Sequence, residues 1–595
     1  MGYLITYFII ITYAIMLTII LNKRIEEVLP ISIVEIILII FISGLFDNLK
    51  IGITIIEILA ILQLIFILIM IIKKDKEIVW RILTPGLLVY TLLFSVNILI
   101  NKNRVLEDYD EFNHWAVIVK NMFLYNTYGT NEQAIVTFNE YPPFTAIFQY
   151  LFLMIQKVYR EDTIIIAQNV LYFSIMIPIT KNVKWNKSLT KLFVILPVIV
   201  LLPIFFYKNF YLEILVDGII GIMFAYVVFS AVQKEEDIKF KYLKVLAGEI
   251  MLVLTKTSSI ALALLAILII FMEKIIFGLK KDKQKSKKEI RLILIVFIIA
   301  LLITALWYLK VSGAEKRWDF EQIIKIDSQK AEENSKVALK FIQNIFLSEK
   351  ITSRQFTVFS VTLLLICLQI YVTKRIKERE IMYYEIAMLI SIPIWLIGLL
   401  LMYVTIFDMH EAIYLTCFER YVSTILLANA TFQMFSIVQI EEKHWKKQAI
   451  IIFLILVSLM PLSNIEEKYI NGKNYIVMSN TNRNIFTQLK KYKNQLKTTD
   501  KILYIVGKNS KEEYLTSMNN YEIMPVKIEQ TIRGSFEDAD TFKNIVKNYT
   551  HVFIYQIEDE EKEKIKEMFE NDKVKTDVLY KVKNENNQIK LELER

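Results

Sequence analysis

Apolar residues in this chain come in runs of about twenty, repeated through the first 464 positions, and this repetition limits the fold more than any other feature. A run of that length is what an α-helix needs to cross a ~30 Å hydrocarbon layer. Inside lipid, backbone N–H and C=O groups must be satisfied within helices or closed barrels. The runs are continuous and do not alternate, which excludes a barrel of transmembrane strands. With 55% hydrophobic residues among 595, the expected class is a polytopic α-helical membrane protein.

Spans are expected near residues 3–22, 30–46, 51–72, 81–100, 163–180, 190–206, 211–231, 242–256, 258–277, 290–309, 356–373, 382–405, 420–439 and 448–464. The segment 144–157, FTAIFQYLFLMIQK, is short for a span. Basic segments at 73–81, 181–191, 233–244, 280–291, 374–380 and 441–447 fall on one side of the membrane only if 144–157 does not cross. Basic loops mark the cytoplasmic face. The reading is therefore about 14 spans, with 144–157 lying at or re-entering from the outer surface, and with both termini and the loops 101–162, 310–355 and 406–418 outside. Residues 3–22 lack a basic n-region and a small-residue cleavage site, so they read as the first span and not as a signal peptide. The net charge of +9 fits cytoplasmic loops such as 280–291, not nucleic-acid binding. Cys367 in an apolar run and Cys417 in a loop imply no structural disulfide.

After the transmembrane domain, 1–464, the composition turns polar. Residues 465–595 carry short apolar runs at 501–507, 551–557, 577–582 and 589–594, separated by charged helix-like stretches such as 558–571. This reads as a small extracytoplasmic α/β domain. The segment VGKNSKEE after its first run has neither GxGxxG nor Walker spacing, so a structural or substrate-capping role is expected.

The most unusual segment is EDYDEFNHWAVIVKNMFLYN, residues 107–126. On a helix, Phe112, Trp115, Ala116, Val119, Met122 and Phe123 form one apolar stripe, with Asp110 and His114 opposite. Such a helix would lie flat at the membrane surface, stripe down. One aspartate before a helix is a common cap. Glu107, Asp108, Asp110 and Glu111 together exceed what one cap needs. Clustered carboxylates suit a cation, a proton acceptor or a cationic partner.

Downstream, Tyr141-Pro142-Pro143 opens the next helix. An Asp-Glu pair at Asp110-Glu111, an aromatic-rich surface helix, and an aromatic-Pro-Pro some thirty residues later resemble the GT-C superfamily of membrane glycosyltransferases. The likeness is strongest to its protein-mannosyltransferase and aminoarabinose-transferase-like branch. The order of the parts agrees too: a dozen or so spans, an outer catalytic loop near the N-terminus, and an outer C-terminal domain. Two features depart from that branch. Several spans precede the acidic loop, and Tyr141 stands where Lys or His is usual. The resemblance implies an inverting transfer of a sugar from a polyprenyl-phosphate donor to a glycan, lipid or protein acceptor at the outer face of a cell membrane. It implies a carboxylate base, assigned here to Asp110, with Glu111 orienting the base or the acceptor and Asp108 in reserve.

A lipid-phosphate leaving group needs cations. Arg420 and Tyr421 lie at the outer end of a span, and an arginine is suited to bidentate phosphate contact. Glu213 and Asp217, four apart in YLEILVDGIIGIMF, are expected on one helix face near the outer end of their span. Acids there need a cavity or a partner, and Asp217 is read as a second site residue, for acceptor binding or a metal. Lys256 falls in a tight outer turn within reach of a phosphate. His114 and His410 face outward; with Asp110 they could make a divalent site, but no HExxH-type spacing supports one, and a structural or substrate-contacting role is expected of them, His114 counting as a substrate-binding residue. The sequence identifies no certain cofactor and leaves a divalent cation open. A transporter or flippase of lipid-linked sugars would instead place its acids mid-span and show broken helices or repeats. A surface-glycan polymerase or ligase would rely on arginines in its outer loops.

Overall fold

A computed structural model of the chain describes residues 1–72, 76–129, 138–186, 188–233, 235–313, 328–347, 356–375, 378–438, 462–534, 539–569, 574–585 and 588–594. The chain forms two compact units. One comprises Met1–Lys102 with Phe138–Gly472, the other Asn103–Thr137 with Lys473–Arg595. The acidic segment therefore groups with the C-terminal residues.

The first unit is a multi-pass helical membrane bundle. Among the described residues, ten helices are long and apolar enough to cross a membrane: Gly2–Leu21, Ile25–Leu45, Leu49–Met70, Glu161–Thr180, Leu189–Phe206, Ser259–Lys281, Lys283–Lys310, Val358–Arg375, Arg379–Thr405 and Phe418–Val438. This set does not by itself confirm the expected count of about 14 spans. Helices Pro85–Asn101, Phe144–Gln156 and Asp217–Val232 are apolar but short. At 1.5 Å per residue, a helix of sixteen residues reaches only about 24 Å. Helix Ile238–Val253 is short as well. The run 448–464 lies outside the described residues.

The first of the shortened spans is set by local chemistry. Thr84 caps helix Pro85–Asn101, its hydroxyl accepting from the Leu87 N–H, with Pro85 at the first helical position. The start of Asp217–Val232 is set farther on than the apolar run suggests. Residues 207–216 run as turns and irregular backbone, tied down by Asn169 Nδ2 donating to the Tyr211 carbonyl at 2.9 Å. Glu213 therefore lies outside the helix that Asp217 begins, and the expected shared face does not form. Helices Glu161–Met176, Asp217–Val232 and Phe418–Val438 are buried along nearly their whole length. The peripheral helix Leu49–Ile72 leaves Ile58, Ile61, Leu62 and Ile65 exposed, a surface that lipid rather than water would solvate.

The buried pair Asp217–Val232 and Phe418–Val438 meets at Gly221. A Cβ there would lie 2.2 Å from the Thr424 carbonyl oxygen, so only glycine lets the two backbones approach this closely.

In the second unit a five-stranded sheet has the order β2-β1-β3-β4-β5, with β1 Ile502–Val506, β2 Ile528–Arg533, β3 His551–Tyr555, β4 Val578–Glu585 and β5 Gln588–Leu593. Strand β1 pairs parallel with β2 and β3, and β3-β4-β5 continue antiparallel. Alternate residues feed two cores. Leu503, Ile505, Val552 and Ile554 face one, and Ile502, Tyr504, Val506, Phe553 and Tyr555 the other. Four of the strands coincide with the apolar runs of the sequence. The fifth, β2, is an edge strand with Glu529 and Gln530 exposed, which hid it from an apolar-run search. The loop after β1 is held from within the unit, Glu561 Oε1 accepting the Lys508 N–H at 3.1 Å and Oε2 the Glu558 N–H at 2.8 Å.

Candidate functional site

Helix ends bring the charged residues of the membrane unit together. Asp217 is the first residue of its helix, where the dipole favours a carboxylate. Lys256 occupies the turn between helices Ile238–Val253 and Ser259–Glu273. Its own N–H donates to Ser259 Oγ at 3.1 Å, and that hydroxyl donates on to the Leu252 and Lys256 carbonyls, which fixes the turn. Arg420 and Tyr421 stand in the first turn of helix Phe418–Val438.

These three elements converge on one carboxylate. Lys256 Nζ lies 2.9 Å from Asp217 Oδ1, and Arg420 Nε lies 3.2 Å from Oδ2. Asp217 and Lys256 are only 4% and 5% exposed, whereas the Arg420 side chain keeps 18% of its surface open. Burial alone would lower the Lys256 ammonium, but Asp217 outweighs it and the net shift is upward, so the lysine stays charged. The ammonium also sits 5.1 Å from the Tyr421 ring centroid and 5.9 Å from that of Tyr141, within cation–π range.

Tyr141 arrives by a loop fastened at both edges. The Phe144 N–H donates to the Leu254 carbonyl at 2.6 Å, and the buried Trp307 donates through Nε1 to the Glu140 carbonyl at 2.9 Å. The Phe138 and Tyr141 rings stack 4.7 Å apart. Tyr207 secures the Arg420 end, its hydroxyl donating to the Arg420 carbonyl at 2.7 Å and lying 3.1 Å from Thr424 Oγ1.

Five residues singled out from the sequence, Tyr141, Asp217, Lys256, Arg420 and Tyr421, thus form one cluster of two cations, one carboxylate and two aromatic hydroxyls. Tyr207, Gly221 and Trp307 support it and were not anticipated. Each lies within an aromatic or apolar stretch that reads as ordinary membrane sequence.

The acidic segment belongs to the second unit. Residues Glu111–Trp115 form a π-helical turn that continues as helix Ala116–Tyr125. Glu111 is 1% exposed, and its Oε2 accepts the backbone N–H groups of both Glu107 and Asp108 at 2.9 Å. Asp108 Oδ1 accepts the Asp110 N–H, also at 2.9 Å. Both carboxylates therefore hold the backbone of the loop. Asp110 precedes the π-turn without capping it and is half-buried.

The expected division into one apolar face and one open polar face is not seen along this helix. Its residues are buried nearly all round, Trp115 and His114 included. Phe112 packs against Tyr514 and Tyr521, with ring centroids 6.0 and 5.5 Å away, and the Arg483 guanidinium covers it at 4.0 Å. Arg483 pairs through Nε with Glu522 Oε1 at 3.0 Å, and Lys490 reaches the other oxygen at 2.9 Å. Burial raises the Glu522 carboxyl, but Arg483, Lys490 and Lys120 outweigh it and hold it down at about 2.

Among the described residues, no three His, Cys, Asp or Glu side chains gather to hold a metal. Cys367 is exposed and Cys417 half-buried, and no disulfide joins them. His410 is exposed beside Tyr414.

No protein-family model and no curated protein matches the chain. In structure the chain is similar to ArnT from Cupriavidus metallidurans. The apo form aligns over 78% of this chain and 91% of that one, at 12% identity and a TM-score of 0.36. The form bound to undecaprenyl phosphate aligns over 78% and 88%, at 12% identity and a TM-score of 0.34. At these values the function has to be read from the residues themselves.

Proposed function

We propose that this protein is a GT-C-type glycosyltransferase that moves a sugar from a polyprenyl-phosphate carrier to an acceptor hydroxyl on a glycan, lipid or protein at the outer face of a cell membrane. The observation that carries the reading is the meeting of Lys256 and Arg420 on Asp217, with Tyr141 and Tyr421 beside them, at helix ends of a membrane bundle. A carrier of this kind has an apolar tail and an anionic head, and such a cluster serves the head. Arg420 supplies a planar fork for phosphate oxygens and Lys256 a point charge. Asp217 aligns the two cations and leaves the triad at a net charge of +1, enough to attract the phosphate and low enough to release it.

The base in this reading is Asp110, assigned from the Asp110-Glu111 pair and Tyr141-Pro142-Pro143. The acceptor oxygen attacks the anomeric carbon, its proton passes to the Asp110 carboxylate, and the bond from that carbon to the phosphate oxygen breaks to leave polyprenyl phosphate. A positioned base contributes about 10²–10⁴-fold to such a step. Glu111 and Asp108, spent on backbone N–H groups, serve by holding the loop.

The test is purified protein in bilayers supplied with a polyprenyl-phosphate sugar and candidate acceptors. Free polyprenyl phosphate is expected to accumulate with acceptor present, and Arg420→Ala to raise the donor KM about ten-fold. Absence of sugar loss with every donor and acceptor supplied would count against the reading. One observation favours the transporter rival: Glu249 and Glu385 are buried inside membrane helices at 1% and 0% exposure. Movement of intact lipid-linked sugar across sealed vesicles, without cleavage, would establish that rival.

A further inference from the structure

We propose that the C-terminal α/β domain is a clamp that positions the acidic loop, with Tyr475, Arg483 and Tyr514 as its positioning residues. What the clamp positions Asp110 for rests on the glycosyltransferase reading; that it holds the loop does not.

The loop is gripped on both sides of Asp110. On the N-terminal side, Glu107 Oε2 accepts from the Tyr475 hydroxyl at 2.6 Å and Oε1 from the Ser479 hydroxyl at 2.5 Å. The Tyr514 hydroxyl donates to the Glu107 carbonyl at 2.9 Å, and Arg483 Nη1 to the Leu106 carbonyl at 3.2 Å. On the C-terminal side, Arg483 and Tyr521 enclose the Phe112 ring. Lys120 donates to the Tyr521 carbonyl and lies 4.1 Å over the same residue's ring. Arg483 spans both grips and is itself fixed by Glu522. Asp110 sits three residues after one anchor and two before the other, and its own N–H is held by Asp108, so its backbone has little freedom.

The chemistry of the grips suits positioning more than cohesion. A core would have joined loop and domain by apolar contact alone. Here hydroxyls donate to a carboxylate, and charge-assisted bonds of this type are directional. A catalytic carboxylate needs that kind of precision, because a displacement near 1 Å costs about 100-fold in rate. The clamp also accounts for the acids that the base assignment leaves unused. Glu107 is the handle, Asp108 and Glu111 are internal ties, and Asp110 is the group presented.

The experiment uses the full-length protein in bilayers, with hydrogen exchange of amides 107–115 and steady-state transfer measured on the same samples. Tyr475→Phe with Tyr514→Phe removes two hydroxyls and no charge. Glu107→Ala removes the handle, while Glu107→Gln keeps one oxygen acceptor, replaces the other with an N–H donor and removes the charge. Exchange of the loop amides is expected to rise about ten-fold or more in the double variant and in Glu107→Ala, and to rise less in Glu107→Gln. Transfer should follow as a lower kcat with the donor KM unchanged. Loop exchange in Glu107→Ala equal to wild type would overturn the clamp, and so would a raised KM at constant kcat. If the wild-type protein transfers no sugar, the glycosyltransferase reading fails, and the exchange data still decide the clamp.

Discussion

Asp217→Asn is the perturbation whose outcome the membrane cluster defines most sharply. The wild-type carboxylate meets two cations at 2.9 and 3.2 Å. With an effective dielectric near 20, each contact has a gross attraction of about 5 kcal/mol. Desolvation of the buried groups offsets much of it. What remains when one member is removed is a pair of uncompensated neighbouring cations, a loss of about 3–5 kcal/mol for a buried pair. The variant should therefore melt several degrees below wild type in detergent. An anion that binds Lys256 and Arg420 should restore part of that loss, since ligand at 100 times its Kd stabilises by about 2.7 kcal/mol. The assay is thermal unfolding of both proteins with and without polyprenyl phosphate, and with an uncharged polyprenol as control. The phosphate-dependent gain should be larger in Asp217→Asn than in wild type, because the site's net charge rises from +1 to +2. Equal gains in both proteins, or no destabilisation, would refute the assignment of these cations to a phosphate.

Other outcomes follow from the same contacts. Gly221→Ala would push the Asp217 and Arg420 helices apart, since the new methyl meets a backbone oxygen that cannot rotate away. A loss of about 1–3 kcal/mol in stability, together with weaker donor binding, should appear in melting and KM measurements. The acid limb of stability reports Glu522. Its folded pKa, about 2 against 4.5, is depressed, so its contribution of about 3 kcal/mol is complete above pH 4.5 and is lost as pH falls toward 2. Protease nicking of the acidic loop should therefore increase between pH 4 and 2, and Glu522→Gln should remove that step; nicking that begins near pH 6 would contradict it.

Charged residues in apolar surroundings were legible one at a time. Asp217, Lys256 and Arg420 stand out because an ion in a membrane sequence demands a partner. Their convergence was not legible, since Asp217 and Lys256 lie 39 positions apart and no local pattern links either to Arg420. The sequence also overextended the Asp217 helix. Leu212, Ile214, Leu215 and Val216 continue an apolar run while their backbone turns, and hydropathy cannot distinguish a buried turn from a helix. The acidic loop shows the opposite limit. Phe112, Trp115 and Val119 are buried as their apolar spacing suggests, but spacing shows that residues are covered and not by what. The partners Tyr475, Arg483 and Tyr514 lie more than 350 residues downstream of Glu107 in a polar stretch without a motif.

The central claim is that Asp110 accepts the acceptor's proton as sugar leaves its lipid phosphate. The direct measurement compares wild type with Asp110→Asn in bilayers under single-turnover conditions, following sugar loss from a polyprenyl-phosphate donor. Asparagine keeps the size and loses the basicity, so transfer should slow by about 10²–10⁴-fold while donor binding stays as in wild type. Unchanged turnover in Asp110→Asn would contradict the account.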